Sequence, residues 1–171
     1  MQGQISEETY MAPPLSSSPI LCLVTNRKRL KTRDLVDVVC EAVSGGVTMI
    51  QIREKDLPVF ELAKLLEKFS EKIGEKAIIA VNASYYTDCF ALADAIHFPE
   101  ESPLVVANFG KILGRSIHSI ESARIALENG ADYLIAGTIF ESTSHPGRDE
   151  AGLEFLQKIY DDICFVLLHQ S

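Results

Sequence analysis

A chain of 171 residues, 47% hydrophobic and 23% charged, has the makeup of one globular domain. Its formal net charge of −8 argues against a general affinity for nucleic acid, though not against one local phosphate pocket. No apolar run approaches the ~18 residues that cross a bilayer. Cys22, Cys40, Cys89 and Cys164 form neither a CxxC pair nor a Cys/His cluster of zinc-ligand spacing. The expectation is a cytoplasmic protein with no membrane partner and reduced, buried cysteines.

Residues 1–18 are polar and then rich in Pro and Ser, with no basic segment leading into an apolar core. They read as a disordered leader rather than a secretory signal, and the folded domain is expected over 19–171. An apolar run at 20–25 reads as a buried strand. Leu35, Val36, Val39 and Val43 draw the stripe of a helix over 32–44, closed by Gly45-Gly46. A strand over 47–53 precedes a helix over 57–73, with Leu62, Leu65, Leu66, Phe69 and Ile73 on one side and Gly74 as its stop. Further strands are expected at 77–81, 95–98, 112–117, 133–136 and 163–168. Helices are expected at 85–93, 103–109, 120–129 and 153–159.

Strands that alternate with helices imply βαβ units and a parallel sheet. A doubly wound sheet would place a Gly-rich loop after the first strand, and Thr25-Asn26-Arg27-Lys28 is not one. Quick βα repeats fit a TIM (β/α)8 barrel better. A complete barrel needs at least ~200 residues, so the expectation is an incomplete one of about seven strands, truncated before the last βα unit.

Barrel chemistry gathers at the carboxyl ends of the strands. Side chains alternate along a strand, so Gln51, Arg53 and Lys55 share a face at the end of the second strand. A buried guanidinium needs a partner. Either an anionic substrate or a carboxylate such as Glu54 or Asp88 would supply it, and an Arg fork suits phosphate oxygens. Ser116 and His118 share a face at the end of the fifth strand, where an imidazole suits proton transfer. His97 reads as structural. After the sixth strand, Gly137 allows close approach to backbone, and Ser142, Ser144 and Arg148 suit an anion or an ordinary mobile loop equally well.

Three segments together resemble the thiamin phosphate synthase/TenI family. They are Gly46-Val47-Thr48-Met49-Ile50-Gln51-Ile52-Arg53-Glu54-Lys55, Gly114-Arg115-Ser116-Ile117-His118-Ser119, and the stretch from Gly130-Ala131-Asp132-Tyr133 to Gly137-Thr138-Ile139-Phe140. The resemblance implies a barrel acting on small phosphate substrates in thiamin biosynthesis, with Gln51, Arg53, Lys55, Asn82 and Ser116 as substrate contacts. Synthases of the family join hydroxymethylpyrimidine diphosphate to a thiazole phosphate with magnesium. Here Asn82-Ala83 replaces their Asn-Asp, Ser102 takes the place of the second metal-binding Asp, with Glu100 and Glu101 as the nearest acids, and His145 replaces a Lys. TenI-type members need no metal and aromatise a carboxythiazole phosphate by moving a proton, and His118 matches their acid–base histidine. The expectation is therefore a TenI-like tautomerase with His118 catalytic and no cofactor. The alternatives are a magnesium-dependent synthase and a degenerate non-catalytic fragment. No Gly-Gly-Ile turn follows the seventh strand, and a homo-oligomeric partner is one way to close the gap.

Overall fold

The computed structural model describes residues 19–84, 87–103, 110–140, 151–162 and 166–168. In chain order its elements are β1 (Cys22–Val24), α1 (Leu35–Ser44), β2 (Met49–Ile52), α2 (Val59–Ile73), β3 (Ile78–Asn82), β4 (Ala95–Phe98), β5 (Ile112–Ile117), α3 (Ile120–Glu128), β6 (Tyr133–Ala136), α4 (Gly152–Asp162) and β7 (Val166–Leu168). The strands pair in parallel in the sequential order β1-β2-β3-β4-β5-β6-β7. Strand order in a doubly wound sheet reverses at a switch point. This order never does, so the sheet is a barrel wall of seven strands. Among the described residues β1 and β7 each have one neighbour, and the wall is open.

The strands are short and apolar because both of their faces are covered. One side-chain set, including Ile50, Ile52, Ile79, Val81, Ile96 and Phe98, packs outward against Val39, Leu66, Phe69 and Ile73 of the helices. The other set points into the wall's concave side, where Met49, Ile78, Ala80, Ala95, Tyr133 and Ile135 form an inner cluster with Ile20, Cys22 and Ile112 around it. A third cluster places Ala123 and Ala126 of α3 and Ile159 of α4 against Ile117, Leu134 and Ala136. Full burial of one such aliphatic side chain contributes about 1.5–3 kcal/mol.

Helix boundaries follow local chemistry. The stripe at 32–44 becomes helical at Leu35 because Asp34 caps it, its carboxylate accepting from the Val36 amide at 2.8 Å. Pro58 precedes α2, which starts at Val59 rather than at 57. At the start of α3 the Ser119 hydroxyl accepts from the Ser122 amide at 3.0 Å, and the Ser122 hydroxyl accepts from the Ser119 amide at 3.1 Å, a reciprocal capping box. Gly130 after α3 has φ +82°, a left-handed conformation that side chains resist. The helix expected over 85–93 is replaced, among the described residues, by a single 3-10 turn at Asp88–Phe90. The Thr87 hydroxyl caps that turn, and Phe90 and Ala93 are drawn into the outer core. The helix expected at 103–109 falls almost wholly outside the described residues.

One polar pattern recurs at the amino-terminal edge. The residue just before each even strand bonds the backbone of the preceding odd strand. Thr48 Oγ1 accepts from the Leu21 amide at 3.1 Å, Asp94 Oδ2 from the Ile79 amide at 2.8 Å, and Asp132 Oδ2 from the Leu113 amide at 2.7 Å. Each pair lies one step before registered partners: Cys22 with Met49, Ala80 with Ala95, and Gly114 with Tyr133.

Candidate functional site

The inward set becomes polar at the carboxyl ends of β2 to β5. Gln51 is 3% exposed, and its Nε2 donates to Asn82 Oδ1 at 3.0 Å across β2 and β3. This contact satisfies one amide hydrogen and leaves Gln51 Oε1 as an acceptor beside the Asn82 NH₂ donor. Arg53 follows on the same parity and is half-buried. Its backbone amide donates to Thr25 Oγ1 at 3.1 Å. Among the described residues its guanidinium forms no ion pair, which answers one open question of the sequence. Glu54 pairs instead with Arg27, whose Nη1 reaches Glu54 Oε2 at 3.1 Å and whose two terminal nitrogens fork onto Asp56 at 2.7 and 2.9 Å. That fork, helped by Lys28 at 3.1 Å, holds the Asp56 carboxyl well below the usual carboxylate range. Lys55 lies past the strand on an exposed turn beside this network.

His97 is buried beneath the site, 1% exposed, as its structural reading expects. Its Nε2 lies 2.8 Å from Ser116 Oγ, and its ring stacks on Tyr133 with centroids 5.6 Å apart at 29°. Tyr133 lies under this pair in a slot that only a glycine leaves open. A Cβ on Gly114 would overlap the Tyr133 ring and hydroxyl. The Tyr133 hydroxyl is buried without a hydrogen-bond partner among the described residues, and burial pushes its pKa well up. Burial likewise pushes the Cys22 thiol, on the same inner face, up to about 11.

His118 ends β5 and sits against the start of α3. Its Nδ1 contacts the Gly137 carbonyl, its Nε2 lies 3.7 Å from Glu100 Oε2, and its backbone amide donates to Glu100 Oε1 at 3.3 Å. Glu100 is held from behind by Arg115, which points outward, is 9% exposed, and donates Nη2 to the Glu100 carbonyl at 2.9 Å and to the Ser102 carbonyl. The structure thus gathers Gln51, Arg53, Asn82, Ser116, His118 and Gly137 at one end of the wall, with Glu100 beside His118 and the buried His97 beneath Ser116. The strand parity that pairs Ser116 with His118 also places His97 and Asn82 inward. Glu100 sits in a turn and has no periodicity to betray it. Ser142, Ser144, His145 and Arg148 lie outside the described residues.

These features define a parallel α/β barrel wall with amide, guanidinium and imidazole groups at its carboxyl mouth. A family model described as thiamine monophosphate synthase matches residues 21–166, and the chain belongs to that family. It is 34% identical over 152 residues to the putative thiamine-phosphate synthase 2 of Aquifex aeolicus, covering 85% of this chain and 80% of that protein. It is 37% identical over 151 residues to the thiamine-phosphate synthase of Clostridium acetobutylicum, covering 84% and 71%. It superposes on the thiamine phosphate pyrophosphorylase of Pyrococcus furiosus with a TM-score of 0.74 at 30% identity, covering 89% of this chain and 75% of that one.

The synthase resemblance implies magnesium, whose octahedral shell is built from oxygen donors. Among the described residues, the positions that carry the family's metal acids do not form a ligand set for such an ion. Ala83 packs against the outer core, Glu100 faces His118, and Ser102 is buried with its carbonyl held by Arg115. Among the described residues no three His, Cys, Asp or Glu side chains cluster as a ligand set. No helix among the described residues is long and apolar enough to cross a membrane.

Proposed function

We propose that this chain works in thiamin phosphate assembly as a synthase-type protein, taking a pyrimidine diphosphate and a thiazole phosphate at the carboxyl mouth of the wall. This reading replaces the tautomerase expectation as the leading one, because the relatives at 34% and 37% identity carry the synthase name. The observation that carries it is the Gln51–Asn82 amide pair with Arg53 two residues further along β2's face. Gln51 Oε1 and the Asn82 NH₂ present an acceptor beside a donor, complementary to an aminopyrimidine edge. The Arg53 fork supplies paired N–H donors to phosphate oxygens. Ser116 lies at the carboxyl end of β5 near this pair, over the buried His97.

The experiment is a calorimetric titration of the full chain with hydroxymethylpyrimidine diphosphate, with and without magnesium. A charge-assisted hydrogen bond contributes about 1.5–3 kcal/mol, so Arg53→Ala weakens binding roughly 10–150-fold. Equal binding by wild type and Arg53→Ala would remove the diphosphate from this site. A tautomerase reading stays second, on the strength of the His118 ring held between Gly137 and Glu100. Under it, His118→Ala costs on the order of 10²–10⁴ in proton-transfer rate on a carboxythiazole phosphate, and an unchanged rate rejects it.

A further inference from the structure

The carboxyl mouth carries its charge unevenly. The connections after β1 (25–34) and after β2 (53–58) hold seven of the 16 Lys and Arg but only three of the 24 Asp and Glu. Seven against three leaves four positive charges in excess, on a chain whose net charge is −8. The two connections are tied together beside Arg53. Arg27 Nη1 reaches Glu54 at 3.1 Å and Asp56 at 2.7 Å, and the Arg53 amide donates to Thr25 Oγ1. Lys28 shares Asp56, and Arg33 pairs with Glu41. Among the described residues Lys31 forms no ion pair. It is exposed and held at φ +53°, a left-handed conformation that favours glycine or asparagine. The chain keeps a cation where an uncharged residue would sit with less strain. Across the mouth, the turn after β4 carries Glu100 and Glu101 instead.

We propose that these two connections form a cationic entry rim, which draws small polyanions of the diphosphate or phosphate-ester class into the mouth from the β1–β2 side. Charges at the lip of a cleft raise the encounter rate of an oppositely charged ligand by roughly 10–10³-fold, an effect that salt weakens. Screening at physiological ionic strength acts over about 8 Å, so a rim counts only where it adjoins the site. The Arg27 fork places it there, against the turn that follows Arg53. Lys28, whose side chain is 69% exposed, and Lys31 act on the approach of the anion rather than on its residence. Neither belongs to the strand face that carries Gln51 and Arg53. The identity of the anion rests on the synthase reading, while the sign of the field does not.

The test measures the field first. Amide-proton relaxation of the full 15N-labelled chain is recorded with an anionic and with a cationic nitroxide of the same ring, in about 20 mM salt, where screening reaches roughly 20 Å. The amides of Lys28, Arg29 and Lys31 are relaxed more by the anionic probe. Equal relaxation there, or the reverse preference, overturns the proposal even if no variant folds. Lys28→Gln combined with Lys31→Gln at least halves the contrast, and a contrast that stays whole overturns it too. Lys76→Gln, a charge lost at the opposite edge, leaves the contrast as it was. Stopped-flow association of hydroxymethylpyrimidine diphosphate at the same salt then tests entry. The double variant lowers the association rate roughly 3–10-fold and keeps the dissociation rate within about twofold. An unchanged association rate removes the entry role. A wild type that takes up inorganic pyrophosphate but not the pyrimidine diphosphate sinks the synthase reading and leaves the rim standing. A wild type that takes up neither overturns both.

Discussion

Gly114→Ala tests the slot beneath the His97–Ser116 pair. The added Cβ would overlap three atoms at the far end of the Tyr133 ring, Cε1, Cζ and Oη. Tyr133 is 2% exposed and stacked on His97, so its ring has nowhere to swing. Overpacking of this kind costs about 1–3 kcal/mol. With roughly 2–4 °C lost per kcal/mol in a domain of this size, a cost near 2 kcal/mol lowers Tm by about 4–8 °C. A thermal melt read by circular dichroism measures it. The cause is isolated by a double-mutant cycle with Tyr133→Leu, which deletes the three overlapped atoms. Tyr133→Leu is itself destabilising, but with the ring gone Gly114→Ala loses most of its cost, giving a coupling of at least ~1 kcal/mol. If the two changes add to within ~0.5 kcal/mol, or Gly114→Ala alone stays within that margin of wild type, the slot is not what requires glycine.

Two further predictions concern pH. Burial raises the Cys22 thiol from 9.0 to about 11, so the unfolded chain ionises first and stability falls as pH rises from about 9 to 11. Two pKa shifts of one unit correspond to an upper figure of about 2.7 kcal/mol. Cys22→Ala flattens the denaturant-midpoint profile across that window, and an unaltered slope would refute the assignment. At the other end of the scale, Arg27→Ala lowers Tm near neutral pH by removing the fork on Asp56 and the contact to Glu54. The Asp56 carboxyl is depressed in the folded state. Its share of stability is present above the ordinary carboxylate range and is lost as pH falls through the depressed value, so the gap to wild type narrows in acid. A gap independent of pH counts against the network.

The strands were legible because covered parallel strands are short apolar runs, and the sequential order β1 to β7 settles the choice between barrel and doubly wound sheet. Helices with a strong stripe, such as α2, were legible for the same reason. The segment 85–93 misled because its apolar residues, Phe90 among them, serve the outer core from a 3-10 turn. Strand parity placed Gln51, Arg53, Ser116 and His118 at one end of the wall. It failed where partners come from loops. Glu54 turned out to serve Arg27 rather than Arg53, and Glu100 reached His118 from a turn after β4. Such contacts depend on how two connections meet in space, which no spacing within either one records.

At the amino-terminal edge the three side-chain bonds from Thr48, Asp94 and Asp132 link the strands in couples. Each joins an odd strand to the even strand after it, and none joins an even strand to the next odd one. At this edge β1 is stapled to β2, β3 to β4, and β5 to β6, while at the carboxyl ends Gln51–Asn82 and His97–Ser116 join β2 to β3 and β4 to β5. All three staples lie at the edge opposite the carboxyl ends that carry Gln51, Arg53 and Ser116. Loops at the carboxyl mouth can then change in length or charge without loosening this edge, and hydrogen exchange should protect the amides of Ile79 and Leu113. The two edges are thus fastened in alternation, so that every seam from β1 to β6 carries a side-chain bond at one end or the other.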